Sequence, residues 1–202
     1  MVAVEGSQGE RGRTKAPAAA RHVAPQRVLG VDPGTVHLGW GIVEASGPRV
    51  ARVASGVLHM TGARADRLAA ICDALGAFCE QYKPAALSLE QSFVGDNVQS
   101  AFRLGEARGA VLVAASRAML PVAEYSPAEI KLAIAGHGRA AKAQMQYMVS
   151  RVLDISGAIA ADEADALGAA ICHVHAGRFH AMLAGARDVW GGAGRRARSW
   201  RR

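Results

Sequence analysis

The sequence has few cysteines and no long apolar run. Cys72, Cys79 and Cys172 lack the paired spacing of a zinc site, and their odd number argues against a disulfide framework. Free thiols in a reducing compartment are the simpler interpretation. No apolar stretch of signal-peptide length occurs in residues 1–27, and no run in the chain reaches the roughly 18 apolar residues of a membrane-spanning helix. We therefore expect a cytoplasmic protein.

Acidic residues are scarce at the two ends of the chain, and basic residues are concentrated there. The net charge is +7, to which residues 1–27 contribute +3 and residues 176–202 contribute +6, so the middle of the chain is slightly acidic. Basic tails of this kind can bind nucleic-acid phosphates without regard to sequence. For the N-terminal segment, an arm that only keeps the protein solvated is an equally good interpretation. The five arginines between positions 195 and 202 favour nonspecific DNA tethering by the C-terminal segment.

The order of apolar patterns predicts an α/β domain. Three strands with hairpin spacing come first, and two strands that each follow a helix come later. A right-handed crossover would place the fourth strand parallel to the first. We therefore expect a mixed five-stranded sheet, with three antiparallel strands followed by two parallel ones, flanked by helices. The expected units are a basic, disordered extension at 1–26, one domain at 27–178 with its last helix at about 162–178, and a flexible basic tail at 179–202.

Four carboxylates from three distant segments have largely apolar surroundings. Asp32 ends the apolar run from residue 27, Glu90 ends the run from residue 85, and Asp162 and Asp165 lie three residues apart in an alanine-rich helix. Parallel neighbouring strands would bring Asp32 and Glu90 together, and a spacing of three places the two late aspartates on one helix face. Buried charges persist only if a cation or protons neutralise them. Oxygen ligands favour Mg²⁺ or Mn²⁺, so the sequence predicts a divalent metal site suited to phosphodiester cleavage.

Four segments, in this order and spacing, resemble the RuvC Holliday junction resolvases of the ribonuclease H-like superfamily. The segments are Leu29–Gly34, Leu89–Phe93, Leu104–Gly109 and Asp162–Leu167 followed by Ile171–His173. The resemblance covers about residues 27–175 and leaves out both tails. It implies a crossover junction endodeoxyribonuclease that acts in homologous recombination and DNA repair by paired symmetric nicks. Asp32, Glu90, Asp162 and Asp165 would then be the catalytic acids that hold two Mg²⁺ ions, with Mn²⁺ as a possible substitute.

The same resemblance implies partners. A homodimer would cut both strands of a two-fold symmetric junction, and RuvA-like and RuvB-like proteins would bind the junction and drive branch migration. The alanine-rich helix at about 97–118 is our candidate dimer interface, and a wholly buried core helix is the alternative.

The resemblance also suggests DNA contacts. Phe93 would stack on an unpaired base at the crossover, with a buried aromatic as the alternative. Lys131 and Lys142 lie in segments where the family has functional lysines, and Lys142 follows a glycine loop at a helix start, which suits phosphate binding. Arg139 belongs to that loop, although Ala141 stands where many family members have an acid. Arg103 and Arg108 are further candidates for phosphate contacts.

Three residues near the late aspartates are poorer candidates for metal ligands. Glu163 lies about 100° round the helix from its neighbour Asp162, so we exclude it from the site. His173 and His175 are two apart and therefore point to different helix faces. His173 could support the site from behind its ligands, but a packed or capping histidine is the better interpretation.

Three rival functions follow from the same residues. A related nuclease could act on RNA–DNA hybrids or nascent RNA, since the acid cluster does the same chemistry on either substrate. An ATPase of the actin and sugar-kinase type also opens with the pattern of Asp32 to Thr35, but 202 residues cannot easily supply its two duplicated domains. A catalytically silent binding module is disfavoured because all four acids are present.

Overall fold

A computed structural model describes residues 25–91 and 97–191, with side chains as far as Phe179. Its elements are β1 (Gln26–Asp32), β2 (His37–Ser46), β3 (Arg49–His59), α1 (Arg64–Tyr82), β4 (Ala86–Glu90), α2 (Val98–Arg117), β5 (Val122–Tyr125), α3 (Pro127–Ala135), α4 (Lys142–Val152) and α5 (Ala161–Gly191). No helix in these described stretches is long and apolar enough to cross a membrane.

The five strands form one sheet in the order β3-β2-β1-β4-β5. β1 pairs antiparallel with β2, and β2 with β3, whereas β4 lies parallel to both β1 and β5. The predicted mixed sheet is therefore confirmed, including the parallel neighbours β1 and β4. Because those two strands run in the same direction, both of their carboxyl ends lie at one edge of the sheet.

Helices cover both faces of the sheet because residues on the central strands alternate between two cores. Leu29 and Ile42 pack in the core that also contains residues of α1 and α2. Val28 and Val43 pack in the opposite core with residues of α3, α4 and α5. Ser88 of β4 is fully buried, and its hydroxyl donates a 2.6 Å hydrogen bond to the Ala169 carbonyl of α5. That bond satisfies the hydroxyl and fixes α5 against the centre of the sheet.

Helix α5 lies very close to β1 and β2 because glycines face it. A Cβ at Gly39 would overlap the carbonyl of Asp162, and one at Gly30 would overlap the carbonyl of Ala166. The first turns of α5 are thereby held directly over the edge where β1 ends. The sequence pattern ended this helix near residue 178, but α5 continues to Gly191. Its alanine-rich sequence contains no proline to stop it earlier.

Candidate active site

The four predicted acids meet at the carboxyl edge of the central strands. The ladder between β1 and β4 pairs Val31 with Leu89, so Asp32 and Glu90 are the next residues on adjacent parallel strands. Asp32 also pairs with Gly39 on its other side, and Gly39 is the residue against which the backbone of Asp162 packs. Asp165 follows one turn later on α5.

The electrostatics show that these carboxylates act on one another. Burial, followed by the charges of Asp165, Glu90 and Asp162, raises the pKa of Asp32 to about 7. Burial and the charge of Asp165 also raise the pKa of Glu90 above its ordinary value. At neutral pH, burial and mutual repulsion thus destabilise the ionised carboxylates of the cluster. A cation placed among the four acids would reduce that repulsion.

Two lysines lie beside the acids. The Lys142 ammonium is 3.2 Å from Asp165 Oδ2, and this charge raises the pKa of Lys142. The positive charges of Lys131 and Lys142 oppose the upward shift of the Glu90 pKa. Both lysines line one cleft together with two of the acids, Glu90 and Asp165. Its other lining residues are Pro127, Ile130, Met145, Ala164 and Gly168. Both predicted lysines therefore belong to the acidic site.

Lys142 is also the first residue of α4. The N-cap residue Ala141 makes no side-chain cap, so the first backbone N–H groups of α4 have no side-chain acceptor from that position. Such a helix start attracts anions. Arg139 is exposed in the short segment between α3 and α4. Lys142, the start of α4 and Arg139 thus place positive charge and N–H donors next to the acids.

The four acids offer only carboxylate oxygens, which are the ligands that hard divalent cations prefer. In the described residues, no three His, Cys, Asp or Glu side chains form a group that could hold a metal as they stand. One of the four carboxylates, Asp165, is turned to the Lys142 ammonium. All the donors are carboxylate oxygens, and burial followed by their mutual repulsion raises the pKa of Asp32, so the chemistry of the donor set suits a hard divalent cation.

Arg108 links the ends of β4 and β5 next to the acids. Its Nη1 donates a 2.9 Å hydrogen bond to the Glu90 carbonyl, and its Nη2 lies 2.6 Å from Glu124 Oε2 on β5. The guanidinium is thus engaged at the ends of two strands, and a phosphate contact by Arg108 stays a prediction. Arg103, in contrast, is exposed on α2.

Glu163 has a structural partner outside the acidic cluster. Ser55 Oγ of β3 donates a 2.6 Å hydrogen bond to Glu163 Oε1, and Arg52 Nη1 lies 3.6 Å from the same oxygen. This contact joins the first turn of α5 to β3. It agrees with the prediction that Glu163 points away from its neighbour Asp162.

The two histidines of α5 are also bonded to other elements. His173 Nδ1 lies 2.9 Å from the hydroxyl of Tyr125, and burial lowers the pKa of His173. His175 Nδ1 lies 3.1 Å from the Ala133 carbonyl of α3. The first contact joins α5 to β5, which agrees with the packing role favoured for His173, and the second joins α5 to α3. Phe93 and the tail from position 195 lie outside the described residues.

Comparisons with known proteins agree with this geometry. The family model described as crossover junction endodeoxyribonuclease RuvC matches residues 28–173. The chain belongs to the RuvC family. A crossover junction endodeoxyribonuclease RuvC from Alkalilimnicola ehrlichii is 48% identical over 158 residues, which cover 78% of this chain and 96% of that protein. One from Burkholderia vietnamiensis is 43% identical over 176 residues, covering 87% and 98%. As a RuvC-family member, the protein is an endodeoxyribonuclease, which is a hydrolase.

Solved structures give the same result. Thermus thermophilus RuvC in complex with a Holliday junction substrate superposes with a TM-score of 0.73 at 33% identity, covering 77% of this chain and 96% of that one. The yeast mitochondrial Holliday junction resolvase Ydc2 has a TM-score of 0.57 at 14% identity, covering 74% and 78%, which supports the fold alone. The ribonuclease H-like fold expected from the sequence is confirmed.

Proposed function

We propose that this RuvC-family chain resolves four-way DNA junctions by paired symmetric nicks in homologous recombination and DNA repair, with Asp32, Glu90, Asp162 and Asp165 as its catalytic and metal-binding acids. The observation that carries the proposal is the meeting of these four carboxylates at the edge where β1 and β4 end, where burial and the other three acids raise the pKa of Asp32. Four acids that destabilise one another at the edge of a sheet form a poor structural element but a good cation site.

Two divalent ions, Mg²⁺ or Mn²⁺, would supply the chemistry by activating a water for attack on phosphorus and by stabilising the leaving 3′ oxygen. The chain prepares for this in three ways. Asp32 and Glu90 are held at the ends of paired strands, so their backbones are fixed. Asp162 and Asp165 belong to α5, which packs closely on the sheet because Gly30 and Gly39 have no side chains. Burial and the other acids raise the pKa of Asp32 to about 7, so a cation bound there would favour its ionised form.

Lys142 would then serve as a DNA contact. It pairs with Asp165 in the structure, and its ammonium would be available to a phosphate oxygen if that carboxylate bound a cation. Lys131 borders the same cleft, and Arg139 lies in the exposed segment before α4. These charges, with the N-terminus of α4, would position the scissile backbone. Phe93, three residues beyond Glu90, remains our candidate for stacking on an unpaired base.

A homodimer would supply the two active sites that symmetric cleavage needs. One face of α2 packs in the core through Ala107, Val111, Ala114 and Ala115. The opposite face leaves Val98, Phe102 and Val113 exposed, at 62%, 69% and 47%. Gly105 and Gly109 belong to the same stripe, and neither has a neighbour within reach of a Cβ. A second copy of α2 fits this apolar stripe because the glycines permit a close approach of two helices.

Sedimentation analysis of Phe102→Asp tests this interface. We expect the variant to dissociate at concentrations where the native chain is dimeric. Leu132→Asp on α3 is the matched control, since Leu132 is also exposed, at 58%, but lies on another face. A Phe102→Asp protein that dimerises like the native chain would rule out this stripe as the interface.

Further partners follow from the family resemblance. RuvA-like and RuvB-like proteins would deliver the junction and move the crossover through the active sites. The three cysteines are free, which suits the reducing cytoplasm.

A substrate panel tests the activity. The native chain is incubated in Mg²⁺ with a synthetic mobile four-way junction, a linear duplex and an RNA–DNA hybrid. We expect paired nicks in the junction alone, and Glu90→Gln should remove the nicks without removing junction binding. Preferential cutting of the hybrid would replace this function with that of the related hybrid-specific nucleases.

A further inference from the structure

Two histidines face each other at the open end of the β2–β3 hairpin. His37 Nδ1 and His59 Nδ1 are 2.9 Å apart, and the rings lie nearly perpendicular, at 81° with centroids 4.9 Å apart. Both side chains are exposed to solvent. Among the described residues, the two rings contact each other through one hydrogen bond, which one imidazole donates to the other, and no contact to a further element holds them in place.

A β-bulge brings these two residues into register. Ile42 pairs with Ala54 and Val43 with Arg52, which leaves Val53 as an extra residue on β3. An unbroken ladder counted from the turn at Ser46 and Arg49 would put Leu58 opposite His37; the extra residue puts His59 there instead. Beyond the pair, Met60 N donates to the Val36 carbonyl, so the backbone on both sides of the histidines is fixed.

We propose that His37 and His59 bind one divalent transition-metal ion, with Ni²⁺ and Cu²⁺ preferred to Zn²⁺, at a site separate from the carboxylates. Imidazole nitrogen suits these ions, whereas the hard oxygen donors of the acidic site suit Mg²⁺. To bind one ion, the donating imidazole would carry its proton on Nε2, and both rings would turn their Nδ1 lone pairs toward the metal. With metal–nitrogen bonds of about 2.1 Å, the observed separation of the two Nδ1 atoms then corresponds to an angle of about 90° at the metal. That is the angle between adjacent ligands in square-planar or octahedral coordination, and a tetrahedral Zn²⁺ site would need the nitrogens to move apart.

The site has two protein ligands and open positions. No third His, Cys, Asp or Glu completes a metal-binding group anywhere in the described parts of the chain. Water or an oxygen of a bound phosphate would occupy the remaining positions. His37 begins β2 after the turn that follows Asp32, so the ion would be held at the edge of the sheet where β1 ends.

Calorimetric titration with Ni²⁺ tests the proposal. The titration uses the full-length chain without an affinity tag, in millimolar Mg²⁺, and compares the native protein with His37→Ala, His59→Ala and His137→Ala. His137 is the matched control because it is also exposed and its Nε2 lies 3.3 Å from Gln144 Nε2, not beside another histidine. Asp32→Asn is included to separate this site from the acidic one.

We expect His37→Ala and His59→Ala each to weaken one Ni²⁺ site at least tenfold, and His137→Ala and Asp32→Asn to retain it. Zn²⁺ should bind the same site more weakly than Ni²⁺. Native-like Ni²⁺ affinity in either His37→Ala or His59→Ala would overturn the proposal. Loss of the site in Asp32→Asn would also overturn it, because the ion would then belong to the carboxylates. Since Ni²⁺ binding is measured without DNA, the result is independent of whether the junction-cleaving function is correct.

Discussion

Replacement of Asp32 by asparagine should stabilise the metal-free protein at neutral and alkaline pH. The Asp32 carboxylate is mostly buried, and three other acids repel it. Asparagine has nearly the same shape but carries no charge, so it removes both penalties. The gain should disappear when the native carboxyl is protonated.

The magnitude follows from the shift of the Asp32 pKa from 3.8 to about 7. Between these values the folded protein keeps a proton that the unfolded chain has lost, so the stability of the native protein falls as the pH rises from 3.8 to 7 and then levels off. At about 1.4 kcal/mol per pH unit, the upper limit of this loss is about 4 kcal/mol. We expect about 2–4 kcal/mol, because Asp32 is not fully shielded from water.

Urea unfolding followed by circular dichroism measures the effect. The native chain and Asp32→Asn are compared in EDTA at pH 4.5 and pH 8, at one protein concentration, with Asp73→Asn as the control. Asp73 is exposed on α1, far in the sequence from the four acids. The advantage of Asp32→Asn should be large at pH 8 and small at pH 4.5. Millimolar Mg²⁺ should stabilise the native chain and have less effect on the variant.

Two results would refute this reasoning. If Asp32→Asn is no more stable than the native chain at pH 8, the carboxylate is not under the strain that the structure indicates. If Asp73→Asn shows the same pH-dependent gain, the effect comes from overall charge and not from the cluster.

Three further predictions follow from the site and its supports. Arg108→Ala should lower the free energy of unfolding by about 1–3 kcal/mol because the Glu90 carbonyl and the Glu124 carboxylate both lose their bond to the guanidinium. Glu124→Gln should lower it less because the bond from Arg108 to the Glu90 carbonyl remains. Urea unfolding compares the two variants. Lys142→Ala should reduce the salt dependence of junction binding by about one phosphate contact, as measured by fluorescence anisotropy over a salt series; an unchanged slope contradicts the phosphate role. Gly39→Ala should destabilise the protein by about 1–3 kcal/mol or more because its Cβ would overlap the backbone of α5. Gly76→Ala is the control: its Cβ would meet open space on α1, so it should be neutral or stabilising. Thermal unfolding measures both variants.

Much of the fold and the position of the acids could be predicted from local sequence. Asp32 and Glu90 each end an apolar run, and the carboxyl ends of parallel strands share one edge of a sheet, so their proximity followed from strand order. The spacing of Asp162 and Asp165 placed both on one helix face. These inferences depend on periodicity and chain direction, which a single sequence contains.

Contacts that depend on side-chain direction or exact register could not be predicted. A helical pattern does not reveal in which direction a long side chain extends. From the sequence alone, the Arg108 guanidinium could face solvent as readily as the ends of β4 and β5. The pairing of His37 with His59 depends on the extra residue Val53, and no glycine or proline marks that bulge in the sequence. The length of α5 was underestimated because the end of a helix without a stop signal is not visible in its pattern.

A junction-cleavage assay in Mg²⁺ tests the central claim most directly. It compares the native chain with Asp32→Asn and Asp73→Asn on a mobile four-way junction, and junction binding is measured in parallel. We predict symmetric nicks by the native chain and by Asp73→Asn, and no nicks by Asp32→Asn although it still binds the junction. Native-like cleavage by Asp32→Asn would contradict the assignment of the acidic cluster as the active site.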